Sequence, residues 1–258
     1  MAMKDVDFKR VFVVTADQRR SRRGPDRVPE ALDAVATVPA EHVLLPFERT
    51  AGDEIQGLLG SAVGVVAVVR RLVRLRDWRI GIGVGAVDLP LATSTRAARG
   101  TAYLAARTAV EQARGPSVGI ALRDGRAQTA AGPAQEPAAP TAVADAADAA
   151  VWRAESALLV WGALLVRRSA EGWEVADLLD DGLSTTAAAR TLGISASAAS
   201  QRTTRAAYAE DRRGAALAIT LLAEAAARGA DVSPVRQDDS VPPEHGSPAT
   251  DGRQEEAR

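Results

Sequence analysis

The chain has no cysteine, only two histidines and two lysines, and no more than 3% aromatic residues. Each shortage removes a class of chemistry. Without cysteine there are no disulfides, thiolate nucleophiles or Cys-ligated zinc. His245 lies in a polar C-terminal stretch and His42 precedes a strand-like segment, so a Ser-His-Asp triad and a multi-histidine metal site are both disfavoured. Any metal would fall to carboxylates, which suit Mg²⁺ or Mn²⁺. A core short of aromatics must be built from Ala, Val and Leu, for which a 47% hydrophobic composition suffices. With Lys4 and Lys9 the only lysines, arginine is the default cation, and its presence alone marks no site. The net charge of −1 gives the chain as a whole no affinity for polyanions. The longest apolar run, residues 57–69, falls short of the roughly 20 residues that span a bilayer. MAMKDVDFKR lacks the apolar core of a signal peptide. The expectation is a cytoplasmic protein with no membrane partner.

What is present is a pattern at Ser184–Arg213, STTAAARTLGISASAASQRTTRAAYAEDRR. Ser184 is placed to cap a first short helix, and Gly193 permits the left-handed turn that ends it. Ser195 caps a second helix. Small Ala189 lets the two helices approach, with Leu192, Ile194 and Ala199 at the contact. This is the helix-turn-helix pattern, and it presents Ser197, Gln201, Arg202 and Arg205 outward. Those side chains bond base edges and phosphates, so DNA is the expected partner. Arg190, Arg202, Arg205, Arg212 and Arg213 outnumber Glu210 and Asp211 around the motif, which supplies a local basic face.

Four pieces are expected along the chain. Residues 1–123 alternate strand and helix signals. Residues 124–141, rich in Ala, Gly, Pro and Gln, read as a linker. Residues 142–228 are helical and contain the motif, and residues 229–258 read as a disordered tail. Within the first piece we expect strands at Arg10–Ala16, His42–Arg49, Glu54–Leu59, Trp78–Val87 and Ser117–Leu122. Helices are expected at Asp26–Val38, Ser61–Leu75 (with Val63, Val66, Val69 or Arg70, and Val73 on one face) and Thr95–Ala113. The order βαββαβαβ is a split β-α-β, ferredoxin-like arrangement with one added unit, giving an α+β class with an all-α domain behind it. Gly81, Gly83 and Gly85 alternate along one strand face, where a helix or ligand would approach closely; no turn opens a dinucleotide-binding helix there.

In such a sheet the first strand lies beside the β-hairpin, which brings Asp17 and Asp53 to one edge. Two carboxylates at that point can hold Mg²⁺ against a triphosphate; alternatively Asp17 caps a turn and Gly52-Asp53 is an ordinary hairpin dipeptide. Arg19, Arg20, Arg22 and Arg23 are either an anion-binding loop or a solvated basic one.

Asp17 after an apolar strand, Phe47-Glu48-Arg49-Thr50-Ala51-Gly52-Asp53, Arg79-Ile80-Gly81-Ile82-Gly83-Val84-Gly85 and Ala105-Ala106-Arg107 occur in the order seen in class III nucleotide cyclases. The resemblance covers roughly the first half of the chain. It implies a cyclase-like fold, metal binding by Asp17 and Asp53, purine reading by Arg49 and triphosphate contact by Arg107. The pattern with TAD, GDE and RIGIG more closely resembles the SatD-like family, here with an appended helix-turn-helix. Gln18–Arg23 replaces the small phosphate-cradling segment, and Tyr103 stands at the Asn position, which points to sensing and away from turnover.

The expected function is therefore a DNA-binding transcriptional regulator whose cyclase-like half senses a nucleotide or other anionic ligand. A homodimer is expected, seamed by the apolar Ala215–Ala227 helix. The alternatives are a Mg²⁺-dependent nucleotide-processing enzyme and a protein-interaction module.

Overall fold

β-branched and glycine-alternating segments come together in a five-stranded mixed sheet in the computed structural model, which describes residues 10–21, 24–114, 118–128 and 146–228. The strands are β1 (Val11–Gln18), β2 (Val43–Arg49), β3 (Glu54–Leu59), β4 (Trp78–Gly85) and β5 (Ile120–Asp124), in spatial order β2-β3-β1-β4-β5. Helices α1 (Val28–Ala36), α2 (Ala62–Leu75) and α3 (Thr101–Gln112) are interleaved between them. The first four strands pair antiparallel, and β5 adds to β4 in parallel. An all-helical region follows: α4 (Ala146–Val166), α5 (Ala170–Asp180), α6 (Thr185–Thr191), α7 (Ala196–Arg205) and α8 (Tyr208–Arg228). The class is α+β.

Period-two alternation sorts β1 onto two faces. Phe12, Val14 and Ala16 turn toward α1 and α2, and Val11 and Val13 turn toward α3. Gly81, Gly83 and Gly85 let α3 lie almost on the backbone of β4. A Cβ on Gly83 would sit 2.1 Å from the Ala102 carbonyl oxygen, so helix packing accounts for all three glycines. The helical region does not fold apart from the sheet. Leu158, Trp161 and Leu165 of α4 and Ala218 and Leu222 of α8 belong to the same core as Phe12, Ile80 and Leu122. Glu155 on α4, buried, accepts from the Leu122 amide at 3.0 Å and from Arg123 at 2.8 Å. A free amide of edge strand β5 is thereby satisfied from a helix.

Several boundaries differ from the sequence reading. Strand β1 runs on through Asp17 and Gln18, because both pair across to Arg79 and Trp78. Helix α3 starts at Thr101 and not at Thr95: Gly100, at φ 135°, is outside helical conformation, and the Asp88 amide closes the preceding loop on Arg99. Asp124 is a buried strand residue ion-paired to Arg10 at 2.7 Å, not the start of a linker. Val63 is 42% exposed; the buried valines and leucine of α2 are Val65, Val66, Val68, Val69, Leu72 and Val73. The rest of the expected linker from residue 129, the tail at 229–258, and Arg22 and Arg23 lie outside the described residues.

Candidate functional site

Helices α6 and α7 form a two-helix unit whose ends follow from single residues. The hydroxyls of Ser184 and Ser195 accept from the Ala187 and Ala198 amides at 3.2 and 3.1 Å, capping the two N-termini. Gly193 sits at φ 65°, and behind it Ile194 donates to Ala189 and Gly193 to Arg190, the paired bonds of a Schellman stop. Alanines make the seam: Ala188, Ala189 and Ala199 are buried, while Leu192 and Ile194 are half-buried. Ser197, Gln201 and Arg205, spaced four apart, form one exposed stripe of α7. Among the described residues none of these three side chains has a hydrogen-bonded or ionic partner. Arg202 faces sideways and is half-buried, 3.6 Å from Glu174 of α5.

The helices flanking this unit are fastened to the α/β half through a buried charge cluster that local spacing does not reveal. Asp211 of α8, fully buried, accepts from Trp161 Nε1 at 2.8 Å, from Arg70 of α2, and faces Arg168 at 2.9 Å. Burial alone would raise the Asp211 carboxyl; Arg70, the Trp161 bond and Arg168 outweigh it and hold the group below its ordinary range. Arg70 also reaches Asp180, and Arg74 pairs with Asp177, both on α5. The guanidinium carbons of Arg70, Arg74 and Arg168 lie 4.6–5.1 Å from the ring centre of Trp173. These partners stand up to 141 residues apart, beyond the reach of local pattern.

Asp17 and Asp53 do share a cleft, of about 950 Å³, lined also by Arg20, Asp26, Arg49 and Arg79. The register explains this. Asp17 stands opposite Glu54 on one side and Arg79 on the other, and Asp53 forms the hairpin turn. Arg79 binds the Asp17 carboxylate at 2.6 Å. Arg49 binds Asp26 and the Gly52 carbonyl oxygen, and it holds the Asp26 carboxyl below its ordinary value. Gln18 fixes the loop above by donating to the Pro25 carbonyl oxygen and accepting from the Arg27 amide. Arg20 lines the cleft from φ 60°, a costly conformation for a residue with a Cβ. Burial, and then Arg79, lower the affinity of Arg19 for its proton.

No family model, curated protein or solved structure matches the chain.

Arg107 is not brought to the cleft. It projects from α3 with 78% of its side chain exposed, and pairs with Glu111 at 3.6 Å. Tyr103 is turned inward, bonding Thr95 at 3.2 Å, and burial raises its phenol. Among the described residues, no three His, Cys, Asp or Glu side chains gather closely enough for a metal ion. Two cleft residues escaped the sequence reading. Arg79 carried a signal, as the charged residue that interrupts an apolar strand; Asp26 carried one as the polar residue preceding a Pro29 helix start.

A second cavity, of about 640 Å³, runs between α4 and α8. Arg153 meets Glu224 near one end and Trp161 meets Asp211 near the other, so the helices run antiparallel. Val160, 75% exposed, and Leu217, 54% exposed, stand along it. Helix α4 is long and apolar enough to cross a bilayer, with mean hydropathy 1.4, yet only 44% of that stretch is buried within the chain.

Proposed function

We propose that this protein is a DNA-binding transcriptional regulator in which α7 reads DNA and the α/β half senses a small anionic ligand. One observation carries the DNA reading: Ser197, Gln201 and Arg205 form a polar stripe, unpartnered among the described residues, on a Ser195-capped helix that is joined through the left-handed Gly193 to a second helix backing it. In a helix-turn-helix that stripe enters the major groove. Arg190 and Arg202 flank it and suit phosphates.

The strand order β2-β3-β1-β4, with antiparallel neighbours, supports a ferredoxin-like, nucleotide cyclase-like ancestry for the sheet, and with it the SatD-like resemblance. Within that reading Asp17, Asp53 and Arg49 are ligand-pocket residues, and Arg107 serves only if another copy brings it there. The inward Tyr103 and the Arg79–Asp17 pair favour sensing over turnover. The regulator works as a cytoplasmic homodimer in this proposal. Its seam is the α4–α8 groove, whose rim carries both signs, Arg167 and Glu210 beside the apolar Val160 and Leu217. A two-fold partner can cover such a surface and would place two recognition helices on one DNA face.

The experiment is selection of bound fragments from fragmented genomic DNA by the full chain. Recovery of a common sequence, lost in Arg205→Ala while the circular dichroism spectrum is unchanged, is the expected result. Enrichment of no sequence by the wild type would remove the DNA reading. Robust Mg²⁺-dependent cyclisation of a nucleotide, abolished by Asp53→Asn, would place the enzyme alternative first. A monomer in light scattering would remove the groove as a seam.

A further inference from the structure

We propose that Arg79 is a resident counter-ion which takes the place of a divalent metal at Asp17, so that the cleft binds a phosphate-bearing small molecule without Mg²⁺. The inference rests on the sensing reading of the α/β half and specifies its ligand chemistry. The cyclase-like pattern implies two metals at Asp17 and Asp53, and the donor set here does not fit them. The Asp17 carboxylate already accepts from the Arg79 guanidinium at 2.6 Å, and the two residues are direct cross-strand partners, so the pair is built into the sheet register. A metal would have to displace a cation that the backbone holds in place. The next carboxylate, Asp26, is likewise taken by Arg49.

These carboxylates thus act as orienting groups. Asp17 engages a single terminal nitrogen of Arg79, which leaves its other N–H groups for the cleft, whereas Arg49 is held at both terminal nitrogens, by Asp26 and the Gly52 carbonyl oxygen. Planar, forked donors of this kind match phosphate oxygens bidentately. Arg20 also lines the cleft, and its left-handed backbone conformation is the kind of strain that persists at binding sites. Asp53 has no side-chain partner among the described residues and faces the same space. It disfavours a ligand that is anionic throughout, and suits one whose phosphate is joined to a hydroxyl or amine donor, as in a nucleotide.

The test is thermal unfolding of the full chain with ATP, GTP or inorganic phosphate, each in EDTA and in MgCl₂. At saturation the nucleotides are expected to raise the melting temperature by about 5–10 °C in EDTA, with no gain from Mg²⁺. Inorganic phosphate giving the same shift would identify the phosphate group alone as the ligand. Arg79→Gln should weaken nucleotide binding about tenfold or more in EDTA, whereas Arg79→Lys, which keeps the charge and guards against misfolding, loses less. Asp17→Asn, which loosens the orientation of Arg79 but keeps its charge, should weaken metal-free binding less than Arg79→Gln does. Stabilisation that needs Mg²⁺ and vanishes in Asp17→Asn would overturn the proposal while leaving the sensing reading in place. No shift by any probe, with or without Mg²⁺, would overturn both and leave the DNA reading to its own assay.

Discussion

Replacing Asp211 by asparagine should cost about 3–5 kcal/mol of stability at neutral pH. The carboxylate is fully buried, faces Arg168 with 1% of that side chain exposed, and holds Arg70 and the Trp161 indole. Asparagine can still accept from Trp161, but it leaves a buried arginine uncompensated, and breaking one partner out of a buried pair costs in that range. Total stabilities of about 5–15 kcal/mol make this a large fraction. The melting temperature should fall by about 6–20 °C for a chain of this size. The pH dependence follows from the depressed carboxyl. A group whose folded value lies below its unfolded value, here the ordinary 3.8, stabilises above the unfolded value and loses that contribution as pH falls through the folded one. Wild type and Asp211→Asn should therefore differ fully at pH 7 and converge in acid. Adding Arg168→Met should lose less than the sum of the single changes, since it removes the orphaned charge. Urea unfolding read by tryptophan fluorescence measures all of this. A loss under about 1 kcal/mol, or curves that stay parallel as pH falls below 3.8, would mean that Asp211 does not neutralise Arg168 in the core.

Gly83→Ala should destabilise by about 2–3 kcal/mol or more, because the added methyl meets the Ala102 carbonyl oxygen and the Ala106 amide of α3, and backbone cannot rotate away; chemical denaturation checks it. Leu217→Glu, at a 54% exposed position, should leave folding intact and shift the mass in light scattering from dimer to monomer. Glu174→Gln should tighten DNA binding by releasing Arg202 and removing a negative charge 3.6 Å from it, with fluorescence anisotropy as the readout.

Legibility in the sequence tracked the range of the interaction. Strands β2 and β3 were placed within one residue at each end, because Thr50-Ala51-Gly52-Asp53 is a local turn signal and Gly52 takes the left-handed conformation it implies. The turn at Gly193 and the caps at Ser184 and Ser195 are equally local. The start of α3 is not legible because Thr95–Arg99 has helical composition, while the loop closes through Asp88 and Arg99. The exposure of Val63 on α2 is hidden in the sequence because the neighbouring positions are apolar and the phase of the stripe is set by the sheet it packs on. The pairing of Asp17 with Arg79 depends on strand register, which no spacing reports, and the Asp211 cluster joins α2, α4 and α8. Hairpin and strand order suffice to bring Asp17 and Asp53 to one edge of the sheet, where Arg49 also lines the cleft; that Arg79 occupies the Asp17 carboxylate is not legible in spacing.

The most direct test of DNA recognition by α7 is the salt dependence of binding to a selected fragment. Fluorescence anisotropy of wild type, Arg205→Ala and Ser197→Ala would be followed across a salt series. Log affinity should fall steeply and linearly with log salt. Arg205→Ala should either reduce that slope by about one unit, for a phosphate contact, or cost about 1–3 kcal/mol on the selected sequence alone, for a base contact. Identical affinity and slope in wild type and both variants, with folding unchanged, would contradict it.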